Sequence, residues 1–125
     1  MSVALRRIVS WSSVVAWAGF IFYMSSIPGS RIPGLIPTEV AHFLEYLVLG
    51  VLLYLALRTD MRPSTALALA LVLASAYGVT DEFHQRFVVL RTPDVRDWVT
   101  DTLGALAGVA IARLVLGIRD GKSSV

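Results

Sequence analysis

The sequence predicts an all-α fold, a polytopic membrane protein in which four transmembrane helices form one bundle. Three observations support this prediction. Apolar residues make up 56% of the 125 residues and charged residues only 16%, whereas a soluble domain has about 25% charged residues. The mean hydropathy is +0.71. Four apolar stretches are each long enough to cross a bilayer as a helix, which takes about twenty residues.

The helices are expected to form a single domain, residues 1–125, because no internal repeat divides the chain. Their predicted bounds are residues 8–27, 39–57, 64–87 and 97–117. The first apolar stretch is longer than the core of a cleaved signal peptide, about 7–15 residues, and no clear cleavage site follows it. We therefore expect it to be a transmembrane helix. The absence of cysteine excludes disulfides and thiolate metal sites.

Prolines, glycines and charged residues predict the connections. Residues 28–38 contain three prolines and two glycines, which break a helix, and Thr38 is a candidate N-cap for the second helix. Residues 58–63 form a polar turn, and residues 88–96 connect the third helix to the fourth. From Arg119 onward the chain is polar and basic, and we expect this tail to fray.

The basic residues predict the orientation. With both termini in the cytoplasm, seven basic residues lie inside and four outside, as the positive-inside rule favours. The outer four are Arg31, Arg86, Arg91 and Arg96. We expect a multi-pass protein of the plasma membrane with Trp11, Trp17 and Trp98 facing lipid or the interface. The net charge of +2 is too small to indicate a nucleic-acid partner.

Ionisable residues collect at one end of three predicted helices, which would be the extracytoplasmic end. Such groups cost about 2.5 kcal/mol or more each at the bilayer centre, so they are expected to face the bundle interior. They are Glu39, His42 and Glu45 on the second helix, Asp81, Glu82 and His84 on the third, and Asp97 and Asp101 on the fourth. On the third helix, periodicity puts Tyr77, Asp81, His84 and Gln85 on one polar arc of about 100°, and it puts Glu82 off the edge of this arc. The spacing of Gly104 and Gly108 permits close helix packing.

Three kinds of polar site fit these residue types. Imidazoles and carboxylates could bind zinc, manganese or magnesium. The candidate ligands are His42 or His84 together with two or three of Glu45, Asp81, Asp97 and Asp101. A carboxylic acid beside a histidine in a low-dielectric pocket could act as an acid or base, with His42, Glu45, Asp81, Glu82, His84, Asp97 and Asp101 as candidates. An anion could be bound by helix N-termini together with Gln85, Arg86 and Arg91.

A purely structural role is the competing interpretation. Arg86, Arg91 and Arg96 would then pair with the acids and only fix the helix packing. The acids outnumber these arginines, and apolar replacements for a buried ion pair are often neutral or stabilising. We therefore favour a functional site over this interpretation.

Four segments resemble the VanZ-like family, in order and over nearly the whole chain. They are Met24-Ser25-Ser26-Ile27-Pro28-Gly29, His42-Phe43-x-Glu45-Tyr46, Asp81-Glu82-Phe83-His84-Gln85-x-Phe87-x-x-x-Arg91 and Asp97-x-x-x-Asp101-Thr102-Leu103-Gly104. Two positions depart from the family pattern. Asp101 stands where Asn is frequent, and Val89-Leu90 stands where proline-glycine often precedes the arginine, so the loop backbone is expected to differ there.

The resemblance implies a small envelope protein whose namesake is associated with low-level resistance to the glycopeptide antibiotic teicoplanin. By motif match, its characteristic positions are His42, Glu45, Asp81, Glu82, His84, Gln85, Arg91, Asp97 and Asp101. We expect an outward-facing polar pocket for an anionic or lipid-linked envelope component. Two alternatives stay open. One is a metal- or acid/base-assisted hydrolase or transferase acting on a lipid phosphate, and the other is a proton-coupled transporter or flippase working as a homo-oligomer.

Overall fold

The computed structural model describes residues 1–28 and 36–123, with residues 120, 122 and 123 described by their backbone alone. This part of the chain contains four α-helices and no strand, and each helix is long and apolar enough to span a membrane. The helices are α1 (Val3–Ser25), α2 (Thr38–Leu57), α3 (Pro63–Gln85) and α4 (Val95–Ser123). The predicted four-helix transmembrane fold is confirmed. Most of the predicted loop 28–38, including Arg31, lies outside the described residues.

The first helix begins earlier than predicted. α1 starts at Val3, and the hydroxyl of Ser2 caps it by accepting a hydrogen bond from the Leu5 backbone N–H at 3.1 Å. The first N–H groups of a helix have no partner within the helix, and a serine at the N-cap supplies one. Arg6 and Arg7 therefore lie within α1 rather than ahead of it.

Two other boundary predictions were wrong. Thr38 is the first residue of α2, and its N-cap is Pro37, with no side-chain cap. Proline fixes φ near the helical value, and Pro37 has φ −57°, so the chain can turn into the helix one residue early. α4 continues to Ser123, so most of the predicted tail after Arg119 is helical. No proline interrupts this segment, and arginine and lysine are good helix formers.

The closest helix packing joins α2 and α4. At three glycines an added Cβ would lie less than 3.0 Å from a backbone carbonyl oxygen of the facing helix, a distance that real Cβ atoms essentially never show. The contacts are Gly104 with Phe43, Gly108 with Leu47, and Gly50 with Ala105. The close approach predicted from Gly104 and Gly108 is confirmed.

The other helices pack around this pair through small and aliphatic residues. Buried core residues come from every helix, among them Ile21, Leu49, Ala70 and Val109. Two tryptophans predicted to face lipid or the interface are instead half-buried between helices. The indole N–H of Trp17 donates to the Glu45 carbonyl at 2.8 Å, and that of Trp98 donates to the Ser75 carbonyl at 3.1 Å. Trp11 is exposed, as expected.

The connection from α3 to α4 contains a turn with an unusual backbone. The Arg91 N–H donates to the Val88 carbonyl at 3.2 Å, and Leu90 has φ 60°. A positive φ at the third position of a turn favours glycine, and proline is common at the position before it. The turn therefore has the conformation that a proline-glycine pair would favour, although Val89 and Leu90 occupy these positions. The expected difference from the backbone of the family's loop stays a prediction.

Different helix ends lie at the two ends of the bundle. We call the end where α1 and α3 finish and α2 and α4 begin the site end, and the opposite end the basic end. Ser25, Thr38 and Gln85 line one cavity at the site end. Arg6, Arg58 and Arg119 line another at the basic end. The orientation of these ends across the membrane stays a prediction.

Candidate functional site

Four ionisable side chains meet at the site end, where α2, α3 and α4 converge. One potential ligand atom from each lies within 4.8 Å of the others, and the residues are His42, Asp81, Glu82 and Asp101. We call them the four-residue cluster. Asp101 is 0% exposed, and Asp81 and His42 are each 5% exposed, while Glu82 is half-buried. Charged groups at such depth are costly unless they are paired or bind a ligand.

Two glycines allow this convergence. Gly104 lies three residues after Asp101 and brings α4 against the backbone of Phe43, next to His42. The Nδ1 atom of His42 consequently lies 2.8 Å from Oδ1 of Asp101. On α3, an added Cβ at Gly78 would lie 3.3 Å from Oδ2 of Asp101. Gly78 therefore leaves room for the carboxylate of Asp101 between the helices.

Each acid of the cluster has one oxygen with a partner. Ser25 donates its hydroxyl to Oδ1 of Asp81, the backbone N–H of Asp94 donates to Oε2 of Glu82 at 3.0 Å, and Oδ1 of Asp101 contacts His42. The second oxygen of each acid is buried and has no hydrogen-bond partner in the part of the chain that the structure describes; these atoms are Asp81 Oδ2, Glu82 Oε1 and Asp101 Oδ2. An unsatisfied buried polar atom costs about 1–3 kcal/mol, and more when it is charged. The cluster thus has three acceptor oxygens without a hydrogen-bond partner.

Arg91 is close to the cluster but does not pair with its acids. Its Nε donates to the Ile27 carbonyl at 3.0 Å, and its Nη2 donates to the Met24 carbonyl at 2.9 Å. These carbonyls lie at the C-terminal end of α1, where helix carbonyls lack partners within the helix. Arg91 therefore fixes the loop before α4 to the end of α1.

The other two arginines near the site end point elsewhere. Arg86 is exposed and lies over the ring of Phe83, 5.8 Å from its centroid. Arg96 pairs with Asp94 at 3.0 Å. Within the described chain, His42 is the one basic side chain within 4.0 Å of a cluster carboxylate. The interpretation in which arginines neutralise the buried acids is therefore wrong.

Asp94 begins the fourth helix and supports the cluster indirectly. Its carboxylate accepts a hydrogen bond from the Arg96 backbone N–H at 2.9 Å, the arrangement of a helix N-cap. The hydrogen bonds from the backbone N–H and the guanidinium of Arg96 hold the pKa of Asp94 below its ordinary value. Because the Asp94 N–H donates to Glu82, this cap also positions an acid of the cluster.

A cavity of about 340 Å³ lies beside the cluster. Its polar lining consists of Ser25, Thr38, His42, Glu45, Gln85 and Arg91, and its apolar lining of Met24, Ile27, Ile36 and Ala41. His42 belongs to both the cavity and the cluster. A pocket of this size and mixed lining suits a small headgroup attached to an apolar chain.

Several predicted site residues are not part of the cluster. His84 contacts the Ser26 hydroxyl through Nε2 at 2.9 Å and stacks on Phe22, with ring centroids 4.3 Å apart. Asp97 is half-buried and Glu39 is exposed. Of the predicted metal ligands, the structure brings together His42, Asp81 and Asp101, and it adds Glu82 in place of Glu45, His84 and Asp97.

The predicted anion-binding residues are divided between two cavities. Gln85 and Arg91 line the cavity beside His42, whereas Arg86 lines a separate cavity of about 380 Å³ that also contains Glu82, Asp94 and Trp98. These residues therefore do not form a single binding group.

Comparison with known proteins gives the family. The family model described as VanZ/LLP1 matches residues 10–116. The chain belongs to the VanZ/LLP1 family. The matched region contains the whole four-residue cluster and both cavities at the site end. No match is found among curated proteins or among solved structures.

The structure adds site residues to this VanZ/LLP1 protein that the sequence argument missed. Ser25 and Ser26 at the end of α1 contact Asp81 and His84. Tyr46, which the second family-like segment already contains, is buried one turn after His42, and its hydroxyl has no hydrogen-bond partner among the described residues. The signal for the serines was present, since both lie in a segment that resembles the family. Their hydroxyls carry no charge, and the prediction of the site was based on ionisable residues.

Proposed function

We propose that this VanZ/LLP1 protein holds a divalent cation in the four-residue cluster. We further propose that the bound cation, together with the adjoining cavity, binds the phosphate-bearing headgroup of a lipid or lipid-linked envelope component. The observation that carries the proposal is the set of three buried carboxylate oxygens that have no hydrogen-bond partner among the described residues. They belong to acids whose potential ligand atoms lie within 4.8 Å of one another and of His42.

The donor set favours a hard or borderline divalent cation. Carboxylate oxygens suit magnesium and manganese, and carboxylates combined with one imidazole suit manganese or zinc. Three ionised carboxylates so close together would repel one another, and no arginine among the described residues pairs with them. A divalent cation would remove most of this repulsion, and the unpartnered carboxylate oxygens would be its ligands.

The adjoining cavity supplies groups for an anion. Two N–H groups of Arg91 are held by backbone carbonyls, which leaves its other N–H groups for a phosphate in the cavity it lines. Gln85 lines the same cavity and offers an amide donor. Because the neighbouring cluster is acidic, an anion would bind here with less repulsion after the cation has bound.

Metal analysis of the purified protein tests the cation. After EDTA treatment and addition of manganese, zinc or magnesium, we expect about one equivalent of one of these ions and a higher melting temperature, because a ligand specific for the folded state stabilises it. Asp81→Asn should lose this binding. Glu39→Gln, which changes an exposed acid at the same end, should keep it. Equal binding by wild type and Asp81→Asn would disprove the cation site.

A lipid-binding measurement tests whether the cavity binds an anion. With manganese present, Arg91→Gln should bind short-chain phosphatidic acid about tenfold more weakly than wild type, the effect of losing one charge-assisted hydrogen bond. Arg86→Gln, which alters the separate cavity, is the matched control. If EDTA-treated protein binds the lipid as tightly as metal-loaded protein, the cation does not mediate the interaction.

Acid/base-assisted hydrolysis or transfer at a lipid phosphate is a second candidate. It is favoured by the 2.8 Å contact of His42 with Asp101, because a carboxylate that orients one ring nitrogen leaves the other free to move a proton. His42 also lines the cavity where the phosphate would bind. Phosphate release that is lost in His42→Gln, with lipid binding retained, would support catalysis over binding alone.

The cellular role follows from the same proposal. We place the cluster on the extracytoplasmic side because the positive-inside rule puts the opposite, basic end in the cytoplasm. Cells expressing the protein are then expected to tolerate more teicoplanin than cells expressing equal amounts of Asp81→Asn. Equal sensitivity would argue against this role without excluding the cation site.

A further inference from the structure

A third cavity, of about 540 Å³, lies at the basic end, away from the four-residue cluster. Two helices and the turn after a third each bring one arginine to it. Its lining consists of Arg6 and Ser10 from α1, Leu55, Arg58 and Thr59 from α2 and the turn after it, and Leu116 and Arg119 from α4. Among the side chains that the structure describes, no acid lines this cavity. We propose that it binds the phosphate of an anionic phospholipid from the adjacent leaflet.

Arg58 is the most constrained of the three arginines. Its Nη1 donates to the Met61 carbonyl at 2.6 Å, which holds the half-buried guanidinium in place. Its Nε is buried and has no hydrogen-bond partner among the side chains and backbone that the structure describes. Phosphate oxygens are strong acceptors for guanidinium N–H groups. A phosphate in the cavity would supply a partner for this arginine.

The acid nearest to Arg58 along the chain, Asp60, is already engaged. Arg7 donates from Nε to Oδ1 of Asp60 at 2.8 Å, with a second hydrogen bond from Nη2 to the same atom. The hydrogen bond from Arg7 holds the pKa of Asp60 below its ordinary value. Asp60 therefore does not compensate the three arginines that line the cavity.

Helix dipoles do not account for all three positions. Arg58 follows the last residue of α2, and Arg119 lies near the end of α4, where a cation is favourable without any ligand. Arg6 lies in the first turns of α1, where the dipole disfavours a cation. A shared anionic ligand explains why arginines from both kinds of helix end line one cavity.

A lipid fits this cavity better than a soluble anion. Leu55 and Leu116 line it beside the arginines and are at least partly exposed, so an acyl chain could follow them into the bilayer. Ser10 adds a hydroxyl donor, whereas the hydroxyl of Thr59 already donates to the Ala56 carbonyl at 2.7 Å. Basic pockets between transmembrane helices are a known mode of phospholipid headgroup binding.

Lipid titration of the full chain tests this inference. The chain is kept in EDTA, so that cation binding at the site end cannot contribute. Phosphatidylglycerol should raise the melting temperature, and phosphatidylcholine should not. Arg6→Gln combined with Arg119→Gln changes two exposed side chains and should weaken phosphatidylglycerol binding by about tenfold or more.

Two controls make the outcome decisive. Arg62→Gln alters an arginine of the same turn region that does not line the cavity, and it should bind the lipid like wild type. Inorganic phosphate should have little effect. If the double variant binds normally, or if inorganic phosphate protects at the same concentration as the lipid, the proposed lipid site is wrong.

Discussion

The Nδ1 atom of His42 on α2 lies 2.8 Å from Oδ1 of Asp101 on α4, and both side chains are buried. This contact joins the two helices whose backbones approach most closely. One partner is a carboxylate at a position where the VanZ-like pattern often has the neutral Asn. The contact is therefore both a structural link and part of the candidate cation site.

Substitutions of His42 and Asp101 should lower the free energy of unfolding by different amounts. His42→Ala leaves Asp101 buried without its partner, and we expect the free energy of unfolding to fall by about 3 kcal/mol. Asp101→Asn keeps an oxygen that can accept from His42, so we expect a loss of about 1 kcal/mol. Reversible unfolding in detergent micelles measures both. Equal losses would mean that the charge of Asp101, rather than its hydrogen bond, holds the helices together.

The glycines between α2 and α4 should tolerate no side chain. Gly104→Ala and Gly108→Ala would push a methyl group against a backbone carbonyl, and overpacking of this kind costs about 1–3 kcal/mol. Gly117→Ala is the matched control, because nothing lies within 4 Å of its added Cβ and alanine favours the helix. Unfolding of the three variants in one detergent makes the comparison. Similar stabilities would show that the helices can separate at little cost.

Replacing Leu90 by glycine should stabilise the protein. Its φ of 60° is strained for a side chain with a Cβ, at a cost of about 1 kcal/mol. Leu90→Gly is therefore expected to raise the free energy of unfolding by up to about 1 kcal/mol, the gain being reduced by the greater freedom of glycine in the unfolded chain. Leu90→Ala retains the Cβ and should not gain. Equal behaviour of the two variants would place the effect in the lost leucine side chain.

Part of the candidate site could be predicted from local sequence alone. The four helices follow from the length and hydropathy of each segment, and both are properties of the segment itself. The collection of acids and imidazoles at one end follows from their positions within those segments. The glycine spacing also indicated the close packing of α4, because a missing side chain removes a local obstacle to approach.

The tertiary structure decided which of these residues contact one another. One step along a helix turns the side chain by about 100°, so a small rotation of α3 during packing exchanges one neighbour for another. Glu82, predicted at the edge of the polar arc, joins the cluster. His84, predicted within the arc, turns toward Ser26 and Phe22 of α1.

The sequence by itself determined that this chain is a four-helix membrane protein with its acids gathered at one end. Only the tertiary structure decided that Arg91 holds backbone carbonyls of α1 instead of a carboxylate, and that three carboxylate oxygens are left without partners. The physical reason is that helix formation depends on interactions within about one turn. Partner choice depends instead on the rotation and depth of each helix, which are set by contacts between residues far apart in the chain.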